Sequence, residues 1–105
     1  MNIYRSHNCD ELRKKDVGKK VLLSGGINKK RDHGNLLFVD LRDNYGITQC
    51  IIDKDNQNFS ILEKMQLETV IKIDGEVVSR SEETINEEIN TGEVEVIIKN
   101  FNVLG

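Results

Sequence analysis

Three adjacent cations, Lys29-Lys30-Arg31, are followed along the chain by an aromatic residue, Phe38, and an amide, Gln49. Neighbouring positive charges create a potential that attracts phosphate groups. An aromatic ring can stack on a nucleobase, and an amide can donate to and accept from the edge of an unstacked base. Taken singly, the cations are better explained as a solvated turn, Phe38 as core and Gln49 as a solvent-facing strand residue. Their chemistry matters only if the fold places them on one surface.

No other group of residues indicates catalysis or metal binding. Nothing in the sequence places a nucleophile beside a base, and neither Gly25-Gly26 nor Gly34 follows the spacing of a phosphate loop. Asp40, Asp43 and Asp53 bracket two predicted strands, but carboxylates at strand ends mostly form turns or pair with arginine. We therefore expect no catalytic residue, no metal and no cofactor in this domain.

Size and composition predict one globular domain. The chain has 105 residues, of which 37% are hydrophobic and 31% charged. No apolar stretch approaches the ~20 residues of a membrane helix, and the start of the chain lacks the apolar segment of a signal peptide. These features predict a cytoplasmic protein that does not enter membranes. The net charge of -3 gives no support for binding a polyanion, although residues 1–52 are basic on balance and residues 53–105 acidic.

The two cysteines, Cys9 and Cys50, form no metal-binding pattern. In a cytosolic domain such residues are usually small core hydrophobes or surface thiols. A disulfide or a redox role is the weaker alternative.

The elements that would position these side chains are mostly strands. Alternating or β-branched runs predict five of them, at Lys20–Asn28, Leu36–Leu41, Ile47–Ile52, Val70–Val78 and Val94–Ile98. The stretch Asp43 to Gly46 predicts a hairpin turn.

Two helices are expected beside the strands. Asn8 and Glu11 predict a capping box for a short N-terminal helix that buries Leu12 and ends near Gly18. Apolar residues at helical spacing predict a second helix between the third and fourth strands, at Asn58–Glu68. Three strands, a helix and two more strands are the element order of the OB-fold, an all-β, five-stranded Greek-key barrel. The polar connection from Ser79 to Thr91 is expected to be a mobile loop over one rim.

Three motifs in this order resemble the bacterial-type aspartyl-tRNA synthetases. They are R-D-x-G at Arg31–Gly34, F-x-D-x-R-D at Phe38–Asp43 and T-G-E-x-E-V at Thr91–Val96. Shorter matches extend the resemblance over nearly the whole chain. The resemblance implies an OB-fold domain, residues 1–105, that binds the anticodon loop of tRNA-Asp.

The resemblance also assigns roles to individual residues. It implies that Phe38 stacks on a base, that Gln49 recognises the central uracil and that Glu95 recognises guanine at the first anticodon position. Further anticodon contacts are assigned to Arg31 and Arg80. We expect Lys29 and Lys30 to contact phosphates.

The rest of the family's chemistry lies outside these residues. The resemblance implies a parent enzyme that activates aspartate with ATP and Mg²⁺ in a class II catalytic domain, which this chain lacks. The parent is expected to be a homodimer, whereas the isolated domain is expected to be a monomer that binds tRNA without aminoacylating it.

One position bears on which tRNAs are accepted. Members of the family with histidine at the position of His33 tend to accept tRNA-Asn as well as tRNA-Asp, whose anticodons GUC and GUU differ only at the third base. The resemblance thus favours relaxed specificity. Relaxed members tend to have glycine at a second position, which here is Glu83.

Two further positions depart from the family pattern. Gly26 stands where a tryptophan is usual, which predicts a packing deficit, and Val78 replaces a basic residue. Proline is absent. Two alternatives stay open at this stage: a free-standing OB module that binds single-stranded nucleic acid without specificity, and an OB domain that binds proteins.

Overall fold

Five strands form the framework, and alternating apolar residues explain why. Successive side chains of a strand point to opposite faces, so alternation buries one face and solvates the other. The computed structural model describes residues 4–105. Its strands are β1 Lys20–His33, β2 Leu36–Arg42, β3 Ile47–Asp53, β4 Val70–Ser79 and β5 Val94–Val103. The five predicted strands are confirmed, and β1 and β5 continue well past their predicted ends.

The strands close into a barrel in the order β1-β2-β3-β5-β4. Strand β1 pairs antiparallel with both β2 and β4, while β3 and β5 pair in parallel through Cys50 opposite Val96 and Ile51 opposite Ile97. Closure pairs every strand with a neighbour on each side over part of its length, while the end of β1, from Lys29 to His33, pairs with β2 alone. This topology is the predicted five-stranded OB-fold barrel.

The inward faces of all five strands fill the barrel with aliphatic side chains. Leu23 and Ile27 of β1 and Ile71 and Ile73 of β4 are fully buried. Burial of each such side chain contributes about 1.5–3 kcal/mol. The barrel therefore supports its outer face with a buried, apolar interior.

A short helix, α1 Phe59–Lys64, closes one end of the barrel. Its Phe59 and Leu62 insert into the core, and Met65 packs against that core just after the helix. The helix is shorter than predicted, because the chain turns to an extended conformation at Met65. Ile61 is another apolar residue of this segment, and the helical spacing would group it with Phe59 and Leu62, but it is 55% exposed.

The predicted N-terminal helix is wrong, although its capping contacts form. The Asn8 N–H donates to Glu11 Oε1 at 2.8 Å, but the only helical turn in this part of the described chain is the 3-10 turn Lys14–Asp16. The segment is instead tied to the barrel, since the Cys9 N–H donates to Asp43 and its carbonyl accepts from Thr48. In a helix capped by Asn8, the Cys9 carbonyl would accept from the Arg13 N–H, but here it accepts from Thr48 while the Arg13 N–H donates to Asp16. The prediction that Leu12 is buried is confirmed.

The β4–β5 connection is ordered by its own contacts. It contains a 3-10 turn, Glu82–Thr84, and the Asn86 N–H donates to the Gly92 carbonyl at 3.1 Å. Thr91 is buried, and its hydroxyl donates to the Ile47 carbonyl at 2.5 Å. The connection is thereby fastened to the start of β3.

Cys9 and Cys50 are free, fully buried thiols in the core. Burial is the main cause that raises the pKa of both thiols above the ordinary value. The thiolate, which is the reactive form, is therefore disfavoured in the folded chain. Their interpretation as small core hydrophobes is confirmed.

Candidate nucleic-acid interface

Polar and aromatic side chains gather on the outer face of β1, β2, β3 and β5. In β2, Leu37, Val39 and Leu41 point into the barrel, so the residues between them point outward. Cross-strand partners share a face, and the register pairs Arg31 with Phe38 and Asp40 with Gln49.

The centre of this face is an ion pair between neighbouring strands. Arg31 donates from Nη1 to Asp40 Oδ2 and from Nη2 to Asp40 Oδ1, both at 3.2 Å. This is the two-pronged geometry that a planar guanidinium forms with a carboxylate. The same Nη2 also donates to Gln49 Oε1 at 2.7 Å.

The hydrogen-bonded chain continues into β5. Gln49 donates from Nε2 to Glu95 Oε1 at 2.7 Å, and Gln49 is only 7% exposed. Arginine can only donate and an ionised carboxylate can only accept, so these neighbours fix which way the amide points. Asp40, Arg31, Gln49 and Glu95 thus form one continuous series, which we call the polar ladder.

Phe38 lies beside the polar ladder on the outer face. It is half-buried, the Arg31 guanidinium carbon lies 6.0 Å from its ring centroid, and the His33 ring meets it edge-on at 5.1 Å. The interpretation of Phe38 as core, favoured from its residue type, is wrong. It failed because β2 has apolar residues on both faces, with Leu36 and Phe38 alternating with the buried Leu37 and Val39.

The three adjacent cations point in different directions, and the phosphate contacts expected of Lys29 and Lys30 stay predictions. They lie within β1 rather than at its end, and a register shift between Ile27 and Lys29 sets their orientation. Lys29 is exposed on the outer face, where it lies opposite Asp40 in the register of β1 and β2. Lys30 points the other way, and its Nζ donates to the carbonyls of three residues at the end of α1: Leu62, Glu63 and Met65. The structure thus gives Lys30 the place of a helix C-terminal cap.

Arg80 lies at the end of β4 and is only 7% exposed. Its Nε donates to the Val94 carbonyl at 3.0 Å and its Nη1 to the Thr84 carbonyl at 3.1 Å. Burial lowers the pKa of Arg80, while the carboxylates of Glu95 and Asp40 act in the opposite direction. Arg80 braces the β4–β5 connection, and its anticodon contact stays a prediction.

The two positions linked to tRNA choice lie on different elements. His33 is exposed at the end of β1, next to the tight turn that Gly34 makes with φ of 73°. Glu83 is exposed in the 3-10 turn of the β4–β5 connection. Only His33 touches a member of the candidate surface, through Phe38.

Asp40 is the member of this face that sequence reasoning missed. The general expectation that a strand-end carboxylate pairs with arginine is confirmed for Asp40, but the residue types alone do not assign it to the site. Its position two residues after Phe38, and hence on the same face of β2, was the signal that could have placed it. Asp40, Asp43 and Asp53 each accept from a separate set of groups, and no cluster of metal-ligating side chains occurs within residues 4–105.

A closed barrel of this topology with a polar and aromatic outer face defines an OB-fold domain of the nucleic-acid-binding class. The family model for tRNA anticodon domains, described as "OB-fold nucleic acid binding domain", matches residues 21–104. The chain belongs to that family, in the branch formed by the anticodon-binding domains of aspartyl- and asparaginyl-tRNA synthetases.

Three relatives illustrate the similarity. The chain is 69% identical over its whole length to an aspartate–tRNA(Asp/Asn) ligase of Pelagibacter ubique and 53% identical over 98% of its length to that of Wolbachia pipientis. It covers 18% and 17% of those proteins, respectively. A crystal structure of asparaginyl-tRNA synthetase from Pyrococcus horikoshii matches 98% of the chain with a TM-score of 0.80 and 25% identity, and 23% of that structure is covered.

None of the helices in residues 4–105 has the length and apolar character needed to cross a membrane.

Proposed function

We propose that this chain is the anticodon-recognising domain of an aspartate–tRNA ligase and that it binds the anticodon loops of tRNA-Asp and tRNA-Asn. The polar ladder is the observation that carries the proposal. Its side chains are held on one face, next to the half-buried ring of Phe38, by hydrogen bonds within the free chain. A site that needs little ordering on binding loses less conformational entropy.

The chemistry of the polar ladder matches the edges of unpaired bases. Glu95 offers acceptor oxygens to the N–H groups of guanine at the first anticodon position, and Gln49 offers a donor and an acceptor to the central uracil. In the free chain these groups satisfy one another at 2.7 Å. Binding therefore exchanges internal hydrogen bonds for bonds to the bases, which favours only bases that replace every bond given up.

Phe38 and the cations complete the surface. The half-buried ring of Phe38 provides a platform for one base, and such stacking contributes roughly 1–3 kcal/mol per base. Exposed Lys29 is placed to attract the phosphate backbone. Arg31 lies between the ring and the amide, where its guanidinium can contact both a base and a phosphate.

His33 is the residue we assign to tolerance at the third anticodon base. It is exposed beside Phe38, so a base that stacks on this ring would lie close to the imidazole. The relatives named as acting on tRNA(Asp/Asn) support relaxed specificity. Glu83, where relaxed members tend to have glycine, is the departure from that pattern.

The parent protein is proposed to be a cytoplasmic, homodimeric class II ligase. Residues 1–105 form its OB domain, while a separate catalytic domain binds ATP and Mg²⁺ and transfers aspartate to tRNA. The domain alone is expected to be a monomer without ligase activity.

A titration with anticodon stem-loops tests the proposal. Stem-loops that carry GUC, GUU or an unrelated triplet are added to the domain at two salt concentrations, and the dissociation constants are compared. We expect GUC and GUU to bind more tightly than the unrelated triplet, and all binding to weaken as salt rises. Equal binding of all three would favour the non-specific single-strand module, while absence of RNA binding would favour the protein-binding alternative.

A further inference from the structure

Asp40 places a negative charge at the centre of the proposed RNA-binding surface, where it repels phosphates. Asp40 lies between Lys29 on β1 and Gln49 on β3, its cross-strand partners. Its side chain is 18% exposed, against 32% for Arg31. Asp40 is therefore largely covered by the groups that it organises and is poorly placed to contact RNA itself.

The contacts of Asp40 determine the orientation of two neighbouring side chains. Both of its oxygens accept from Arg31 at 3.2 Å, which holds the guanidinium in one plane. Held in that plane, Arg31 donates to Gln49 Oε1 at 2.7 Å. The amide nitrogen of Gln49 is thereby directed to Glu95.

We propose that Asp40 is a positioning residue for anticodon recognition, which acts on the bases through Arg31 and Gln49 rather than by direct contact. This inference rests on the proposed function. Without Asp40, the guanidinium of Arg31 is free to pair with any phosphate, and the Gln49 amide loses the neighbour that fixes its direction. Selectivity among triplets then falls, while general affinity for RNA does not.

This role differs measurably from a simple charge effect. If Asp40 only repelled phosphates, Asp40→Asn would tighten binding of every stem-loop by a similar factor. If it positions Arg31 and Gln49, Asp40→Asn lowers the ratio of the affinity for GUC to that for an unrelated triplet. We expect that ratio to fall by about tenfold, within the range of couplings between contacting residues.

Asp40→Glu separates the two roles more sharply. It keeps the negative charge but lengthens the side chain by one methylene, so the two-pronged geometry with Arg31 is lost. The positioning role predicts a reduced ratio for Asp40→Glu with unchanged affinity for the unrelated triplet. The matched control is Asp74→Asn, which removes an exposed carboxylate from β4 on another side of the barrel.

The experiment measures dissociation constants for a GUC stem-loop and an unrelated stem-loop. The proteins compared are the wild-type domain and its variants Asp40→Asn, Asp40→Glu, Asp74→Asn, Arg31→Ala and Arg31→Ala/Asp40→Asn. We expect the Asp40→Asn change to have no further effect on the ratio once Arg31 is absent. Thermal unfolding verifies that each variant folds. If Asp40→Asn does not fold, Asp40→Glu provides the test.

A wild-type domain that shows no preference for GUC would overturn the proposed function and this inference with it. A selective wild-type domain whose ratio survives the Asp40 changes would overturn this inference alone.

Discussion

Gln49 on β3 donates its amide nitrogen to the carboxylate of Glu95 on β5 at 2.7 Å. The two strands are adjacent and parallel, so both side chains leave the barrel on the same side. The bond brings together the two residues assigned to successive anticodon bases. Because each is the other's partner in the free chain, a change in one is expected to affect recognition by both.

Glu95→Gln tests the assignment of the first base. A carboxylate accepts two N–H groups of guanine, whereas an amide replaces one acceptor with a donor that opposes them. We expect the affinity for a stem-loop with guanine at the first position to fall by about 1–3 kcal/mol, the usual value of a two-pronged base contact. Titration with GUC and AUC stem-loops measures the change, and Glu76→Gln on β4 is the matched control. An equal loss for both stem-loops would show that Glu95 does not recognise guanine.

Phe38→Leu tests the stacking platform. Leucine keeps an apolar side chain at a half-buried position but lacks a ring, so affinity should fall by roughly 1–3 kcal/mol if one base stacks there. Stability should change little, because the core beneath is intact. The control is Phe101→Leu, which alters another partly buried ring, one that packs against the core from β5. Stem-loop titration measures the affinity and urea unfolding the stability. Full affinity in Phe38→Leu would show that no base stacks on this ring.

His33→Leu tests tolerance at the third base. Loss of the imidazole is expected to lower the affinity for GUU relative to GUC, with the affinity for GUC nearly retained. The readout is the ratio of the two dissociation constants. Because the ratio compares two ligands of one variant, a general loss of stability does not affect it. An unchanged ratio would leave His33 as a turn residue without influence on specificity.

The barrel could be predicted from the sequence because its signals are local. Val21, Leu23 and Ile27 share one face of β1, and Ile71 and Ile73 share one face of β4. Period-2 alternation is visible in any such segment, whatever the rest of the chain does. The N-terminal helix could not be rejected in the same way, since the bonds that replace it come from residues far along the chain.

The site could be predicted only in part, because it depends on register. Arg31 meets Asp40 because of an irregularity after Ile27 in β1, and the same irregularity turns Lys30 away toward α1. No local pattern predicts where such a bulge occurs. Residue types thus indicated the chemistry of the face, whereas the partners within it follow from strand pairing.

Asp16 gives the chain an acid-sensitive contact outside the proposed site. Lys19 donates to its carboxylate at 2.9 Å, and so does the Arg13 N–H at 2.9 Å. These bonds, that of Lys19 above all, lower the pKa of Asp16 below the ordinary 3.8. A lowered pKa means that the stabilisation is fully present above pH 3.8 and is lost as pH falls through the lower value in the folded state.

Asp16→Asn should therefore lower the free energy of unfolding at neutral pH, and its difference from wild type should shrink as the pH falls below 3.8. Urea unfolding across this range measures the difference. Asp74→Asn, at an exposed position, is the control and should change the free energy of unfolding little. A difference between Asp16→Asn and wild type that stays constant with pH would contradict the ion-pair explanation.

Gly25 and Gly26 are adjacent in β1 but should respond in opposite ways to an added methyl group. A Cβ at Gly25 would lie 2.5 Å from the Arg42 carbonyl oxygen, whereas at Gly26 the nearest atom is the Glu68 carbonyl oxygen at 3.9 Å. Gly26 borders an open surface cavity of about 250 Å³, so the position at which tryptophan is usual in the family faces the surface rather than the core. Gly26→Ala should stabilise the chain by roughly 0.5–1 kcal/mol, because glycine weakens a strand by that amount. Gly25→Ala should destabilise it by about 1–3 kcal/mol, as overpacking against a backbone atom does. Urea unfolding of both variants gives the two free energies, and a loss of stability in Gly26→Ala would mean that the position needs glycine for a reason other than space.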